Sequence, residues 1–164
     1  MLSIVAAVAE NNIIGKDNSL VWSIPGDLER FKSITLSGSQ CMIMGRRTFE
    51  SIGRILPGRN HVIVTRNTNY NINNSCVEVV HSMDELTPYI ESSKEYFVIG
   101  GGEIFTLLLP YVTKMYLTKV HDNFKGDTFF PDFNKKKWKV IHYEEIPADE
   151  LNKHNTSFMI LEKI

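Results

Sequence analysis

The chain has 164 residues, of which 43% are hydrophobic and 23% charged, and its formal net charge is -1. This length suits one domain spanning residues 1–164, and the balanced charge argues against a surface built for nucleic acid or an anionic membrane. The two cysteines do not make a disulfide framework, and no stretch is long enough to span a bilayer. We therefore expect a cytoplasmic protein that has neither nucleic acid nor membrane as a partner.

Apolar, β-branched runs recur along the chain with turn-rich segments between them. Such runs predict strands, whereas apolar residues at helical spacing predict helices. The predicted strands are Leu2–Ala9, Gln40–Met44, Asn60–Thr65, Val77–Val80, Tyr96–Gly100, Lys114–Val120, Lys139–Glu144 and Thr156–Glu162. The predicted helices are Pro25–Leu36, Arg46–Ile52, Met83–Glu91 and Gly102–Leu109.

The order of these elements predicts an α/β fold. Strands and helices alternate over the first two thirds of the chain, which indicates parallel pairing with right-handed crossovers. The last two strands follow each other without a helix, which favours an antiparallel pair at one edge of the sheet. The expected architecture has three layers, with a central, mixed, mostly parallel eight-stranded sheet flanked by about four helices.

Asp27 is the most informative acidic residue. It lies near the start of the first predicted helix and shares a face with Ile24, Phe31 and Ile34. A carboxylate on an apolar stripe is costly unless it is paired, and we expect Arg30 to point elsewhere, so the partner is predicted to be a ligand with N–H donors. The alternative is structural, because an acid in a first helical turn also interacts well with the helix dipole.

Arginines follow two of the predicted strands. Gly45 ends one strand, and Arg46 and Arg47 then open a helix, where cations oppose the dipole unless an anion is bound there. Arg66 follows the next strand, and if the two strands are neighbours, the arginines meet. Such a cluster suits a 2′-phosphate and favours NADPH over NADH, although solvated arginines remain the alternative.

The run Gly100-Gly101-Gly102 ends another strand and opens a helix. It lets backbone approach a phosphate or a ring closely, but it is neither the spaced dinucleotide fingerprint nor a P-loop, and it is also compatible with a tight turn. The histidines show no metal-ligand spacing, and no nucleophile motif occurs. We expect no metal, so an organic cofactor carries any difficult chemistry.

Taken together, the motifs resemble those of the dihydrofolate reductase family from one end of the chain to the other. Several motifs in order and at near-family spacing are highly specific, although no single one is. The segments that carry the resemblance are Ile4-Val5-Ala6-Ala7-Val8, Asn12-Ile13-Ile14-Gly15, Trp22-Ser23-Ile24-Pro25-Gly26-Asp27-Leu28, Phe31-Lys32, the run from Met44 to Arg54, Leu56-Pro57-Gly58-Arg59, Val98-Ile99-Gly100-Gly101-Gly102, Tyr116-Leu117-Thr118 and the run from Gly126 to Pro131.

The resemblance implies NADPH-dependent reduction of 7,8-dihydrofolate to tetrahydrofolate, in which a hydride goes to C6 of the pterin and N5 gains a proton. Asp27 matches the family's ionisable active-site residue and orients the pterin through its amino group and ring N–H. Thr118 is implied to hydrogen-bond Asp27, and Trp22 to hold a water nearby. Burial is expected to raise the pKa of Asp27.

The resemblance also assigns the walls of the site. Arg59 matches the residue that binds the glutamate α-carboxylate of folate. The other implied substrate contacts are Val5, Ala6, Leu28, Phe31, Ile52, Leu56 and Phe105. The implied cofactor contacts are Ala7, Ile14, Gly15, Leu20, Gly45, Arg46, Arg47, Thr48, Val64, Thr65, Arg66, Ile99, Gly100, Gly101, Gly102, Glu103, Ile104 and Phe105.

Further implications concern loops, backbone and partners. Residues 11–22 match a mobile loop that closes over the nicotinamide, and Gly126-Asp127 matches a loop that supports it. The family has a cis peptide within the glycine run, is usually monomeric in bacteria, and is inhibited by diaminopyrimidine antifolates. Ile55 stands where proline is common and Phe105 where tyrosine is frequent. Neither departure removes a residue that the chemistry needs.

Two alternatives remain open at this point. A related reductase of the same fold acts on a riboflavin-precursor pyrimidine, but the resemblance at Asp27 and Arg59 argues against it. A non-catalytic nucleotide-binding or RNA-binding module needs the anion site but not a carboxylate on an apolar helix face. Loss of NADPH absorbance on addition of dihydrofolate separates the three hypotheses.

Overall fold

The computed structural model describes residues 1–16 and 22–164. Within these ranges the strands are β1 (Leu2–Ala9), β2 (Ile13–Gly15), β3 (Cys41–Gly45), β4 (Asn60–Val64), β5 (Val77–Val80), β6 (Tyr96–Gly100), β7 (Val112–Val120), β8 (Thr128–Phe129), β9 (Trp138–Ile146) and β10 (Thr156–Lys163). The α-helices are α1 (Pro25–Thr35), α2 (Arg46–Ile52), α3 (Met83–Glu91) and α4 (Gly102–Leu108). Short 3₁₀ turns precede β7 and β9.

Eight of the described strands form one sheet in the order β5-β4-β3-β6-β1-β7-β10-β9. In this order, each pair of neighbours among β5, β4, β3, β6, β1 and β7 is parallel, whereas β10 pairs antiparallel with both β7 and β9. The predicted mixed, mostly parallel sheet with an antiparallel pair at one edge is therefore confirmed. Strands are added on both sides of β1 as the chain proceeds, and ligands bind beside such a switch point in open α/β sheets.

The boundaries differ from the prediction in small ways. Gln40 has φ of 58°, so the chain turns there and β3 begins one residue later. The helix α1 ends one residue earlier and β4 ends before Thr65. Strands β2 and β8 form a separate two-stranded sheet that the sequence pattern missed, because two or three residues are too few to display an alternation.

The core lies on the two faces of the large sheet. Strand β1 is apolar along almost its whole length because helices and loops cover both faces of a parallel sheet. Cys41 is buried among aliphatic side chains, as predicted, and burial, with a smaller contribution from Glu78, raises the pKa of its thiol to about 12. None of the helices in the described ranges has the length and apolar composition needed to cross a bilayer.

Candidate active site

A cleft of about 2130 Å³ opens along the carboxyl ends of the parallel strands. It is bounded by the middle of β1, the ends of β3, β4 and β6, the first turns of α1, α2 and α4, and part of β7. This volume exceeds the range typical of a site for one small molecule, roughly 300–1,000 Å³. The cleft therefore has room for two organic ligands side by side.

Asp27 lies in the first turn of α1, which begins at Pro25. Its carboxylate lines the cleft, and its side chain is only 20% exposed. Thr118 of β7 donates a hydrogen bond to Asp27 Oδ1 at 2.5 Å. The strand register explains the reach, because Thr118 pairs with Ala7 at the centre of the sheet, directly behind the cleft.

Burial raises the pKa of Asp27, and this effect outweighs the hydrogen bond from Thr118 and the positive charge of Arg30, which both lower it. The direction is the predicted one. Ile24, the N-cap residue of α1, makes no side-chain capping bond, and the N–H of Gly26 in the first turn donates to Asn152 Oδ1 at 2.9 Å. The side chain of Asp27 therefore accepts its hydrogen bond from Thr118 of β7 and does not cap α1.

One expectation about Asp27 is wrong. Arg30 was expected to point elsewhere, but its Nη1 lies 3.8 Å from Asp27 Oδ1. Residues three apart are neighbours on a helix surface, and the long arginine side chain bends back toward the carboxylate. Its guanidinium also stacks 4.2 Å from the ring centre of Phe158 and lies 3.8 Å from Glu144. At these distances Arg30 is shared between two acids and neutralises Asp27 only in part.

Arg59 is held rigidly at one side of the cleft. It is 6% exposed and follows the turn at Pro57-Gly58. Its Nη1 donates to Thr35 Oγ1 at 2.9 Å, and its Nε donates to the Pro57 carbonyl at 3.2 Å. Burial, with a smaller contribution from Arg54, lowers the pKa of Arg59. These bonds occupy two of its five N–H donors, so the positioned guanidinium retains donors for an anionic ligand.

The three arginines of the predicted cluster all line the cleft. Strands β3 and β4 are neighbours, so Arg46 and Arg66, which follow them, lie at the same edge. Arg47 also lines the cleft. Arg46 is partly engaged, because its Nε lies 3.6 Å from Glu50 Oε1 and its guanidinium lies over the ring of Tyr70.

The glycine run brings backbone close to the cleft. The Gly100–Gly101 peptide is cis, as the family resemblance implied, and Gly100 has φ of 124°, which only glycine adopts readily. A Cβ at Gly102 would lie 3.0 Å from the Phe129 carbonyl oxygen. The backbone at Gly102 therefore lies so close to the backbone of Phe129 that a residue with a Cβ would force one of them to shift.

Nearly all of the predicted site residues come together in the cleft. The apolar substrate contacts form one wall, and Leu28 remains 53% exposed on it. Trp22 is buried against Phe124 and, like Gly100, is not among the described residues that line the cleft. Leu20 lies outside the described residues.

Several lining residues were not predicted from the sequence. Some lie beside predicted residues on the same helices and others on distant strands and loops; they are Glu29, Arg30, Lys32, Ile34, Ser51, Arg54, Asn67, His81, Ser82, Met83, Thr106, Leu107, Tyr116, Asp127, Thr128, Phe129 and Phe158. His81 had a usable signal, because it directly follows a strand predicted to be parallel to the one that ends before Arg66. Residues such as Tyr116 and Phe158 reach the cleft through tertiary contacts that no local pattern reveals.

Comparison with known proteins gives one consistent result. The family model described as dihydrofolate reductase matches residues 1–163. The chain is 42% identical to a dihydrofolate reductase of Bacillus subtilis (strain 168), over 99% of this chain and 95% of that protein. It is 40% identical to dihydrofolate reductase type 3 of Salmonella typhimurium, over 99% of this chain and 98% of that protein.

A solved structure agrees with these matches. It is a dihydrofolate reductase from Enterococcus faecalis complexed with NADP(H) and RAB-propyl, and it superimposes with a TM-score of 0.89 at 31% sequence identity. The alignment covers 99% of this chain and 96% of that one.

Proposed function

The chain belongs to the dihydrofolate reductase family and reduces 7,8-dihydrofolate to 5,6,7,8-tetrahydrofolate with NADPH, and we propose that Asp27 is the residue that orients the pterin for this reaction. The observation that carries the proposal is a carboxylate inside the cleft that has a raised pKa and whose hydrogen-bond donor among the described residues is Thr118. Such a group has unused acceptor sites aimed at a ligand.

The carboxylate of Asp27 is a bidentate acceptor for the pterin amino group and the adjacent ring N–H. Thr118 fixes one carboxylate oxygen and so sets the orientation of the acid. The negative charge then favours protonation of the pterin at N5, with water as the immediate proton donor. Trp22 is proposed to position this water from its buried place beside Phe124.

The residues at the other end of the cleft fit NADPH. Bound NADPH supplies the hydride that reduces C6 of the pterin. Thr48, Thr65 and the arginines at positions 46, 47 and 66 offer donors and positive charge for its phosphates. We place the nicotinamide end at the glycine run, because Gly101 and Gly102 line the cleft without side chains that would occupy it. The described residues at this end of the cleft therefore fit a phosphorylated dinucleotide.

Arg59 is proposed to bind the glutamate carboxylate of the substrate. Its two bonds to Thr35 and Pro57 hold the guanidinium before the ligand arrives, so little side-chain entropy is lost on binding. The substrate then spans from Asp27 to Arg59, with its apolar middle against Leu28, Phe31 and neighbouring residues.

Two loops are proposed to act together beside the nicotinamide. The N–H of Asp127 donates to the Gly15 carbonyl at 3.1 Å, and Asn11 Nδ2 donates to the Phe124 carbonyl at 2.8 Å. Gly126 permits this approach, because a Cβ there would lie 2.6 Å from the Gly15 oxygen. Residues 122–127 thereby hold the described start of the segment 11–22, which is expected to close over the cofactor and exclude water; residues 17–21 of that segment lie outside the described residues.

We also propose that the protein acts as a cytoplasmic monomer and that diaminopyrimidine antifolates bind it as protonated cations paired with Asp27. Light scattering on the purified chain tests the oligomeric state. A calorimetric titration tests the inhibitor contact, because replacing Asp27 by asparagine should weaken binding about 100-fold or more. Unchanged inhibitor affinity in that variant would exclude the contact.

The decisive experiment follows NADPH absorbance after addition of dihydrofolate to the purified chain and to Asp27→Asn. Asp84→Asn is the matched control, because Asp84 is also an acid in a first helical turn but lies exposed on α3. We expect rapid oxidation of NADPH by the wild type and the control, and almost none by Asp27→Asn. Equal rates in all three proteins would refute the role of Asp27.

The alternatives give distinct results in the same assay. A reductase of the riboflavin-precursor pyrimidine oxidises NADPH with that pyrimidine and not with dihydrofolate. A binding module retains NADPH without oxidising it in the presence of either compound.

A further inference from the structure

Arg30 lines the cleft beside Asp27, at the side where α1 meets the β9 edge of the sheet. Its Nη1 lies 3.8 Å from Asp27 Oδ1, and its Nη2 lies 3.8 Å from Glu144 Oε1 on β9. Its guanidinium lies over the ring of Phe158 on β10, 4.2 Å from the ring centre. The stack on Phe158 and the attraction of Glu144 together hold the positive charge of Arg30 next to Asp27.

The distance between Arg30 and Asp27 leaves the carboxylate available to a ligand. A hydrogen bond between a charged N–H group and a carboxylate is about 2.7–2.9 Å long, so the separation of 3.8 Å is a charge contact without a hydrogen bond. Among the described residues, Thr118 is the hydrogen-bond donor to this carboxylate, which has further acceptor sites. A ligand that binds Asp27 therefore also meets a positive charge that is held in place.

The charge of Arg30 acts on Asp27 across this gap. Burial raises the pKa of Asp27, and the hydrogen bond from Thr118 and the positive charge of Arg30 both lower it. The side chains of Asp27 and Arg30 are 20% and 23% exposed, so water screens their interaction only in part. Any other charge that approaches the carboxylate from the cleft is therefore also exposed to the field of Arg30.

Glu144 reduces this field from the side of the sheet edge. Its side chain is 47% exposed, so water screens its attraction to Arg30 more strongly than the attraction between Arg30 and Asp27. Its other carboxylate oxygen, Oε2, lies 3.1 Å from His142 Nε2 on the same strand, which fixes the position of the acid. Glu144 therefore offsets the charge of Arg30 without cancelling it.

We propose that Arg30 is a specificity-determining residue that disfavours cationic ligands at Asp27 relative to neutral ones, and that Glu144 is a positioning residue that limits this effect by acting through Arg30. The inference rests on the proposed role of Asp27 as the group that binds the heterocycle. A neutral pterin donates its N–H groups to Asp27 and has no net charge for Arg30 to repel. A protonated diaminopyrimidine donates in the same way but brings a positive charge close to a guanidinium that Phe158 and Glu144 hold in place.

The test compares two ligands that differ in one ring substituent. They are folate, whose pterin is neutral, and its 4-amino analogue, a diaminopteridine that binds as a cation. Isothermal titration calorimetry at neutral pH gives both dissociation constants, and effects on the shared glutamate tail cancel in their ratio.

The variants separate the two charges. Arg30→Met keeps an unbranched side chain over Phe158 but removes the positive charge, and Glu144→Gln removes the charge that offsets it. Glu145→Gln is the matched control, because neighbouring residues of a strand point to opposite faces of the sheet.

We expect the 4-amino analogue to bind Arg30→Met about 10-fold more tightly than the wild type, whereas the affinity for folate should change by less than about 2-fold. Glu144→Gln should weaken binding of the 4-amino analogue about 3-fold, because less of the charge of Arg30 is then offset. Glu145→Gln should leave both affinities unchanged. In the double variant Arg30→Met/Glu144→Gln the weakening caused by Glu144→Gln should disappear.

An NMR titration of Asp27 gives a second readout. Because the charge of Arg30 lowers the pKa of Asp27, this pKa should rise in Arg30→Met and fall in Glu144→Gln. Loss of packing alone would not move the pKa in opposite directions in the two variants.

The same data distinguish the ways of failing. Equal changes in the affinity for both ligands in Arg30→Met would show that Arg30 acts through packing and would overturn the proposal. If Arg30→Met does not fold, equal behaviour of Glu144→Gln and Glu145→Gln would overturn it instead. Weakening by Glu144→Gln that persists in the double variant would refute the action of Glu144 through Arg30. If the wild type binds neither folate nor its 4-amino analogue, it is the proposed function that fails.

Discussion

Replacing Asp27 with asparagine removes one charge from the site and keeps the shape of the side chain. Thr118 donates to Asp27 Oδ1 at 2.5 Å, and the carbonyl oxygen of asparagine can accept the same bond. Asparagine cannot accept from both N–H groups of a pterin, because its amide nitrogen is itself a donor. The substitution therefore disturbs the ligand and leaves the protein contact in place.

The size of the effect on activity follows from this geometry. The variant loses one charge-assisted hydrogen bond, roughly 1.5–3 kcal/mol, and leaves a buried N–H facing another donor, roughly 1–3 kcal/mol. The sum of roughly 2.5–6 kcal/mol corresponds to a fall in kcat/KM of roughly 10²- to 10⁴-fold, since about 1.4 kcal/mol is a factor of ten.

The same substitution should raise the stability of the fold although it lowers the activity. Burial raises the pKa of Asp27 above its ordinary value of 3.8, so the folded chain holds this proton more tightly than the unfolded chain does. Below pH 3.8 the acid is protonated in both states, and as the pH rises from there through the raised pKa, ionisation lowers the stability of the fold. Asparagine does not ionise, so the variant does not lose stability in this way. We therefore expect Asp27→Asn to melt at or above the wild-type temperature at neutral pH.

Calorimetric melting of the ligand-free proteins at about pH 4 and 7 measures this difference, and steady-state kinetics with NADPH and dihydrofolate measure the activity. The variant should gain in Tm relative to the wild type between the two pH values. A large loss of Tm at neutral pH with activity retained would refute the reasoning. That outcome would mean that Asp27 stabilises the start of α1.

Three further substitutions test neighbouring contacts. Thr118→Val removes the hydrogen bond that lowers the pKa of Asp27, so the corresponding pKa in the pH profile of kcat/KM should move upward, and an unmoved profile would contradict the contact. Arg59→Lys replaces a planar donor fork with a point charge and should raise KM for dihydrofolate about 10-fold without changing the Kd of NADPH, whereas an equal effect on both ligands would argue against the assignment. Gly126→Ala would place a methyl group 2.6 Å from the Gly15 carbonyl oxygen and should lower kcat in stopped-flow and steady-state measurements, while wild-type kinetics would show that the loops need no such approach.

The sequence alone predicted the strands and helices well where the signals are local and repeated. Continuous apolar runs such as β1, and helix starts such as Pro25, carry their own physical reasons. The sheet order followed in outline from the alternation of strands and helices. The two-residue strand β8 could not be predicted in this way, because its pairing with β2 depends on a contact between distant parts of the chain.

In the site, too, the residues with a local signal could be predicted, whereas those that depend on contacts between distant parts of the chain could not. Helical spacing placed Asp27 on the apolar face, but its partner Thr118 is 91 residues away and was assigned only through the family resemblance. The expectation for Arg30 was wrong because helical spacing fixes where a side chain begins and not where a long side chain ends. His81 was missed because its contact with Thr65 joins two strand ends that the sequence separates by 16 residues.

The most direct test of the account is an NMR titration of the Asp27 carboxyl in the ligand-free chain, repeated with a bound diaminopyrimidine. We expect a pKa above 3.8 for Asp27 in the ligand-free chain, and a carboxylate that stays ionised to lower pH once the cationic ligand is bound. An empty-state pKa at or below 3.8, unchanged by the ligand, would contradict it.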